Sequence, residues 1–131
     1  MKQLYILLAL LALCSCNQQK VISEAEYNDL IKELGWDQPD SLMSPEQLEI
    51  KQKATLVTFE NTVVKNNEMH LTVGRSHFVR QGLPAACYDV IQFNYHTNNK
   101  VIKDLKKTEV GKMIDIAEAF EEAKKEMLNQ K

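Results

Sequence analysis

The stretch "VISEAEYNDLIKELGW" (residues 21–36) contains the signals that start a helix, and the fold prediction begins from it. Ser23 and Glu26 have the S-x-x-E spacing of a capping box, in which two side chains satisfy backbone N–H groups at a helix start. Ile22 and Tyr27 occupy the two positions of a hydrophobic staple, which fixes the direction from which the chain enters the helix. The sequence therefore predicts a helix beginning at residue 23 or 24.

The same stretch also specifies where this helix ends and which face it buries. Gly35 can adopt the left-handed conformation that ends a helix, so Trp36 is expected to fold back on Ile31. Apolar residues recur at helical spacing and form one stripe: Tyr27, Leu30, Ile31 and Leu34.

A second helix is predicted to start by the same means. Ser44 and Gln47 form an S-x-x-Q box with Pro45 at the first helical position, and Met43 and Leu48 stand at the staple positions. The following "ATLVTFENTVV" (residues 54–64) is rich in β-branched residues and fits both a strand and a continued helix. We predict a helix to about residue 60 and a short strand after it.

A β-hairpin is predicted next, because Asn66 and Asn67 tolerate the positive φ of a tight turn. Apolar residues alternate with polar ones after this turn, at Met69, Leu71 and Val73. A short helix over "RSHFVRQ" (residues 75–81) should then end at Gly82.

Two longer helices are predicted in the rest of the chain. Pro84 opens the first, whose apolar seam is interrupted by Asn98, and we expect Asn98 to fix the register or to satisfy a neighbouring backbone group. The last helix should cover residues 109–129. The fold class is therefore mainly α, with four or five helices and one short β-hairpin in a single small domain, and an α+β fold is the near alternative.

The leader "MKQLYILLALLALCSCNQQK" (residues 1–20) has an apolar run over residues 4–13. A transmembrane helix needs about 20 apolar residues, so this run is too short to span a bilayer and fits the core of an export signal. The segment "LCSC" (residues 13–16) resembles the lipobox of bacterial lipoproteins. That resemblance implies that the leader is removed and that Cys16 carries a diacylglycerol and further acyl chains. An ordinary secretory leader with incidental cysteines is the alternative.

This interpretation divides the chain into a lipoprotein signal peptide (residues 1–16), a short tether (residues 17–22) and a single α-rich domain (residues 23–131). The lipobox has a small residue directly before its cysteine, so Cys14, which follows the bulky Leu13, is the poorer lipidation site. The steps from Cys16 to Ser23 span at most about 25 Å, so the domain should lie close to the membrane.

Charge and cysteine content exclude several classes of protein. Without the predicted signal peptide (residues 1–16), which contains Lys2, the chain has 15 basic and 18 acidic residues and a net charge of −3. This acidic balance argues against nucleic acid, or an anionic bilayer face, as the main partner. Cys87 is then the single thiol left, so an internal disulfide is impossible, and we expect Cys87 to be buried in a helix.

The segment "LTVGRSHFVRQGLPAACYDVIQFNYHTNN" (residues 71–99) is similar to a stretch of small lipoproteins from Bacteroidetes-type bacteria. In those proteins a strand, a short helix, a Gly-Leu/Ile-Pro step and a Tyr-rich helix follow one another. The resemblance implies an α-rich fold and an envelope location. It supplies no catalytic residues.

Residues that could carry chemistry are few. The sequence has no G-x-S-x-G, glycine-rich phosphate loop, C-x-x-C or H-E-x-x-H motif, so we predict no catalytic residue and no cofactor. The three histidines, His70, His77 and His96, are scattered and predict no metal site. Four aromatic residues are sufficient for a recognition patch if exposed, or for part of a core: Trp36, Tyr88, Phe93 and Tyr95.

The predicted function is that of a lipid-anchored, non-catalytic binding or accessory module that acts on another envelope protein or glycan. One alternative is a cell-wall or glycan-directed enzyme that uses Cys87 and a histidine. Another is an inhibitor or immunity protein against a secreted toxin. The segment "NQQK" (residues 17–20) lacks both an inner-membrane retention aspartate and an acidic surface-export run. By analogy with lipoproteins that carry such signals, the predicted location is the periplasmic face of the outer membrane.

Overall fold

The first helix, α1 (Glu24–Leu34), begins and ends where its sequence signals predict, in a computed structural model that describes residues 21–129. The Glu26 N–H donates to the Ser23 hydroxyl at 3.2 Å, and this hydroxyl donates to the Glu26 carboxylate at 3.2 Å. Gly35 has a φ of 75°, and the Trp36 N–H donates to the Ile31 carbonyl at 2.8 Å. The left-handed stop is therefore confirmed.

The second helix, α2 (Pro45–Glu60), follows a single 3-10 turn (Asp40–Leu42). Its capping box is complete, because the Gln47 N–H donates to the Ser44 hydroxyl at 3.1 Å and the Ser44 N–H donates to Gln47 Oε1 at 3.0 Å. The same Oε1 also accepts from Gln38 Nε2 at 3.1 Å, which holds the preceding loop against the helix start. The helix ends at Glu60, so the predicted change from helix to strand is confirmed.

The hairpin consists of β1 (Thr62–Lys65) and β2 (Glu68–Leu71), paired antiparallel. Thr62 pairs with Leu71 and Lys65 pairs with Glu68. The two turn residues, Asn66 and Asn67, have φ values of 53° and 64°, as a two-residue turn between right-twisted strands requires. The predicted hairpin is confirmed.

Two helices that follow the hairpin in the sequence, α3 (Arg75–Arg80) and α4 (Ala85–Leu105), complete the core. The buried cluster draws on α1, α2, α3 and the first half of α4, and Phe78 and Cys87 within it are completely buried. The Phe78 and Tyr88 rings meet edge to face with centroids 5.6 Å apart. Close packing of these four helices supplies the hydrophobic core of the domain.

The prediction of one last helix over residues 109–129 was wrong, because the chain forms two helices there: α5 (Glu109–Lys112) and α6 (Ile116–Asn129). Asp115 interrupts the run, since its carboxylate accepts the Glu118 N–H at 3.1 Å and thereby caps a new helix. Met113, at the break between the two helices, is 86% exposed, whereas Ile116 and Phe120 on α6 are buried.

The role expected of Asn98 belongs to its neighbour. Asn98 is exposed, whereas Asn99 Oδ1 accepts the Met69 N–H at 2.8 Å and Asn99 Nδ2 donates to the Met69 carbonyl at 3.0 Å. The Asn99 amide therefore pairs with β2 much as another strand would, and it joins the hairpin to α4.

The described residues thus form six α-helices and one two-stranded hairpin. The predicted class, mainly α with a short hairpin in a single small domain, is confirmed. None of the helices between residues 21 and 129 is long and apolar enough to cross a bilayer.

Candidate functional site

A polar recess of about 320 Å³ lies where β2 meets the second half of α4. The strand contributes Glu68, Met69 and His70 to its walls. Val21, at the start of the described chain, also lines it. The helix contributes side chains from successive turns of one face: Gln92, Tyr95, His96, Asn99 and Lys100.

Two contacts hold the walls of this recess at a fixed separation. The Asn99 amide is bonded to the Met69 backbone in both directions, as described above. The Tyr95 hydroxyl lies 2.8 Å from the Thr62 hydroxyl at the start of the hairpin. Burial raises the pKa of Tyr95, and the hydrogen bond with Thr62 opposes this effect. The Tyr95 hydroxyl thus has a structural partner at the start of the hairpin.

The remaining polar groups are directed to solvent at the mouth of the recess. His70 Nε2 lies 3.2 Å from Glu68 Oε2, and both side chains are about half exposed. His96 and Lys100 are exposed on α4. Imidazole, carboxylate and ammonium groups side by side can donate and accept several hydrogen bonds to one polar ligand. Within residues 21–129, no three histidine, cysteine or carboxylate side chains are grouped as a metal site requires.

The four aromatic residues proposed as a patch have different environments. Tyr88 is only 3% exposed, and its hydroxyl accepts a hydrogen bond from Gln92 Nε2 at 2.8 Å, so including Tyr88 in a surface patch was wrong. Phe93 is half-buried and stacks on Tyr27 with ring centroids 4.2 Å apart. Trp36 packs against the core. Of the four, only Tyr95 lines the recess.

Trp36 contains an unusual polar atom. Its indole Nε1 is buried and has no hydrogen-bond partner among residues 21–129. A buried N–H without a partner costs free energy, so the Trp36 ring is held in place by its apolar contacts.

Cys87 cannot serve as a nucleophile. It is completely buried, and burial raises the pKa of its thiol to about 11, an effect that a backbone hydrogen bond only partly opposes. The thiolate is the reactive form of cysteine, and a thiol enclosed in the core cannot reach a substrate, whichever histidine lies near it. The enzyme alternative therefore loses the group on which it depended.

Cys16, the predicted lipidation site, lies outside the described residues. The described residues begin with Val21, which is half-buried at the recess, and Ile22 is also half-buried. The last two residues of the predicted tether therefore pack on the domain.

The sequence predicted scattered positions for His70 and His96 and did not bring them together. Two signals could have done so. Residues 68 and 70 share one face of a strand, and polar or aromatic residues at 92, 95, 96 and 99 share one face of a helix. The missing information was the pairing of the hairpin with α4, which Asn99 provides.

Comparison with known proteins finds no matching family model, no similar curated protein and no similar solved structure.

Proposed function

We propose that this chain is a lipid-anchored protein of the bacterial cell envelope, on the periplasmic face of the outer membrane, which acts without catalysis by binding another envelope component. The observation that carries the proposal is the polar recess beside Val21. Five chain steps separate Val21 from Cys16 and span at most about 18 Å. An acylated Cys16 would keep the recess close to the membrane surface.

A glycan is the ligand class that the recess favours. Its volume of about 320 Å³ is at the lower end of ligand pockets, which suits a group about the size of one sugar residue. Its mouth presents hydrogen-bonding groups, and none of the charged side chains among its described lining residues is buried. An envelope protein remains the second candidate, because a polar side chain can offer similar hydrogen-bonding groups.

Membrane fractionation tests the anchor. Wild type, Cys16→Ala and Cys14→Ala are compared, and the mass of the mature amino terminus is measured for each. We expect Cys16→Ala alone to lose its acyl chains and to leave the membrane pellet. Retention of lipid by Cys16→Ala would refute the anchor.

Titration followed by NMR tests the binding site. The ligands are soluble oligosaccharides and peptidoglycan fragments, added to the isotope-labelled chain that begins at residue 17. We expect shifts at His70 and His96, and weaker binding after His96→Ala. Asn98→Ala is the matched control, since residue 98 is exposed on the same helix but does not line the recess. Shifts that avoid the recess, or equal losses in both variants, would contradict the proposal.

A further inference from the structure

The segment "KVIKDLKKTEVGKM" (residues 100–113), which we name the lysine-rich tip, differs in charge from the rest of the chain. It has five lysines and two carboxylates, a net charge of +3, whereas the whole chain has a net charge of −2. The tip comprises the end of α4, all of α5 and the residues that join them.

Internal pairing does not cancel this positive charge. Asp104 lies 3.3 Å from Lys107 and Glu109 lies 3.5 Å from Lys112, and all four side chains are at least 60% exposed. Both carboxylates of the tip are used in these two pairs, so three lysines of the tip remain as excess positive charge: Lys100, Lys103 and Lys106. The Lys106 ammonium donates to the neutral Ile114 carbonyl, which leaves its charge in place.

Large apolar side chains project from the same tip. Val101 is 61% exposed, Val110 is 71% exposed and Met113 is 86% exposed. Gly111 makes this arrangement possible, since a Cβ at this position would overlap the Leu105 carbonyl oxygen. The glycine allows α5 to pack against the end of α4. Lysines around exposed apolar side chains have the chemistry of a segment that lies at a membrane interface.

The tip also begins beside the route to the proposed anchor. Lys100 and Val21 line the same recess, and Val21 is five chain steps from Cys16. The five residues of α4 beyond Lys100 advance only about 7.5 Å along the helix. A lipid on Cys16, at most about 18 Å from Val21, therefore keeps the tip within reach of the same leaflet.

We infer that the lysine-rich tip is a second membrane contact, which docks on anionic phospholipid headgroups. The inference rests on the lipid anchor proposed above. The lysines would approach lipid phosphates, while Val110 and Met113 would enter the boundary between headgroups and acyl chains. The acidic chain as a whole argues against an anionic bilayer as the main partner, and this contact is accordingly local. Two contacts would hold the domain, and its recess, in one orientation on the membrane.

A fluorescence assay with the chain that begins at residue 17 tests this contact without any lipid anchor. This chain retains every described element. An environment-sensitive dye is attached at Met113→Cys or, as a control, at Val79→Cys on α3, which packs with the opposite end of α4. Val79 is also exposed, at 53%, and the buried Cys87 does not compete for the dye. Vesicles of equimolar phosphatidylglycerol and phosphatidylcholine are compared with vesicles of phosphatidylcholine alone.

We expect a blue shift at position 113 with the anionic vesicles only, and none at position 79. Combined Lys103→Gln, Lys107→Gln and Lys112→Gln changes should weaken vesicle binding about a hundredfold, since each lysine near an anionic surface contributes to the affinity. The control, which removes Lys32, Lys53 and Lys125 in the same way, alters the net charge equally and should leave binding nearly unchanged. No shift at position 113, an equal shift on neutral vesicles, or equal losses in the two triple variants would overturn the inference. Such a failure would leave the Cys16 anchor standing, because the anchor is tested separately by fractionation.

Discussion

The two halves of α4 belong to one continuous helix but have opposite environments. In the first half Cys87, Tyr88, Val90 and Ile91 are buried in the core. In the second half most side chains are exposed, and the helix contacts the hairpin through the Asn99 pairing with β2 and the hydrogen bond between Tyr95 and Thr62. The first half therefore buries more apolar surface in the core than the second half, which carries the recess and the start of the lysine-rich tip. The backbone of α4 is thus one continuous helix, but its two halves have different roles.

The largest effect should come from the core around the first half of α4. Phe78 is completely buried against Tyr88, so Phe78→Ala should lower the free energy of unfolding by about 3–5 kcal/mol through lost burial and a cavity. Met113→Ala, in the exposed lysine-rich tip, should change the free energy of unfolding by less than about 0.5 kcal/mol. Urea denaturation measures both. Phe78→Leu, with an expected loss of about 1 kcal/mol, serves if the alanine variant does not fold. Similar losses at positions 78 and 113 would abolish the distinction between the core, which packs on the first half of α4, and the lysine-rich tip, which continues from its second half.

A smaller effect is expected where the second half of α4 meets the hairpin. Asn99→Ala removes both hydrogen bonds with Met69 and leaves partly buried backbone groups unpaired, so it should cost about 1–3 kcal/mol. Asn98→Ala, one residue away and exposed, should be neutral or slightly stabilising because alanine favours helices. Denaturation curves measure the free energy of unfolding of both variants. Hydrogen exchange should show faster exchange of the β2 amides in Asn99→Ala. Equal stability of the two variants would contradict the pairing.

A pH-dependent effect is expected in the first half, at Asp89. Burial raises the pKa of this carboxyl above its ordinary value of 3.8, and the Arg75 guanidinium, 3.0 Å away, opposes this only in part. The folded protein therefore binds a proton at Asp89 more tightly than the unfolded chain does. The stability that this proton contributes at low pH is lost as the pH rises through the folded-state pKa.

Asp89→Asn removes this loss, so the stability of the wild type relative to this variant should fall as the pH increases from below 3.8. Denaturation at a series of pH values gives the difference. Arg75→Gln should enlarge the pH dependence, because it removes the partner that opposes the effect of burial. A difference that grows with pH would show that the ion pair outweighs burial.

The smallest effect should be found at the exposed end. Lys107→Ala removes an ion pair with Asp104 in which both side chains are at least 70% exposed, and such pairs contribute about 0–1 kcal/mol. We expect thermal unfolding to change little and to be insensitive to added salt. A marked loss of stability would mean that the tip packs on the domain more than its exposure indicates.

Local signals in the sequence predicted most of the secondary structure. Each of these signals involves residues within a few positions of each other, so it can be predicted without knowledge of the tertiary structure. They are the caps at Ser23 and Ser44, the stop at Gly35 and the turn at Asn66–Asn67. The burial of Cys87 was also expected, from its residue type and its helix. These elements were sufficient for the fold class.

Features that depend on distant residues were not predictable in the same way. Whether Asn98 or Asn99 meets Met69 depends on how the hairpin packs on α4, thirty residues away in sequence. The break before α6 depended on one carboxylate at residue 115 within a pattern that otherwise continues as a helix. The sequence shows the polar faces of the strand and the helix that line the recess, but not that they meet each other and Val21.

If the protein is exported, as proposed above, the enclosed thiol of Cys87 has a consequence for its lifetime. In an oxidising compartment, a copy that opens exposes this sulfur to disulfide exchange, and an adduct on it would find no room in the closed core. Each opening thus carries a risk of permanent removal from the folded population. Under such conditions survival depends on how rarely the core opens, so the rate of unfolding, more than the equilibrium stability, would set the lifetime of the protein.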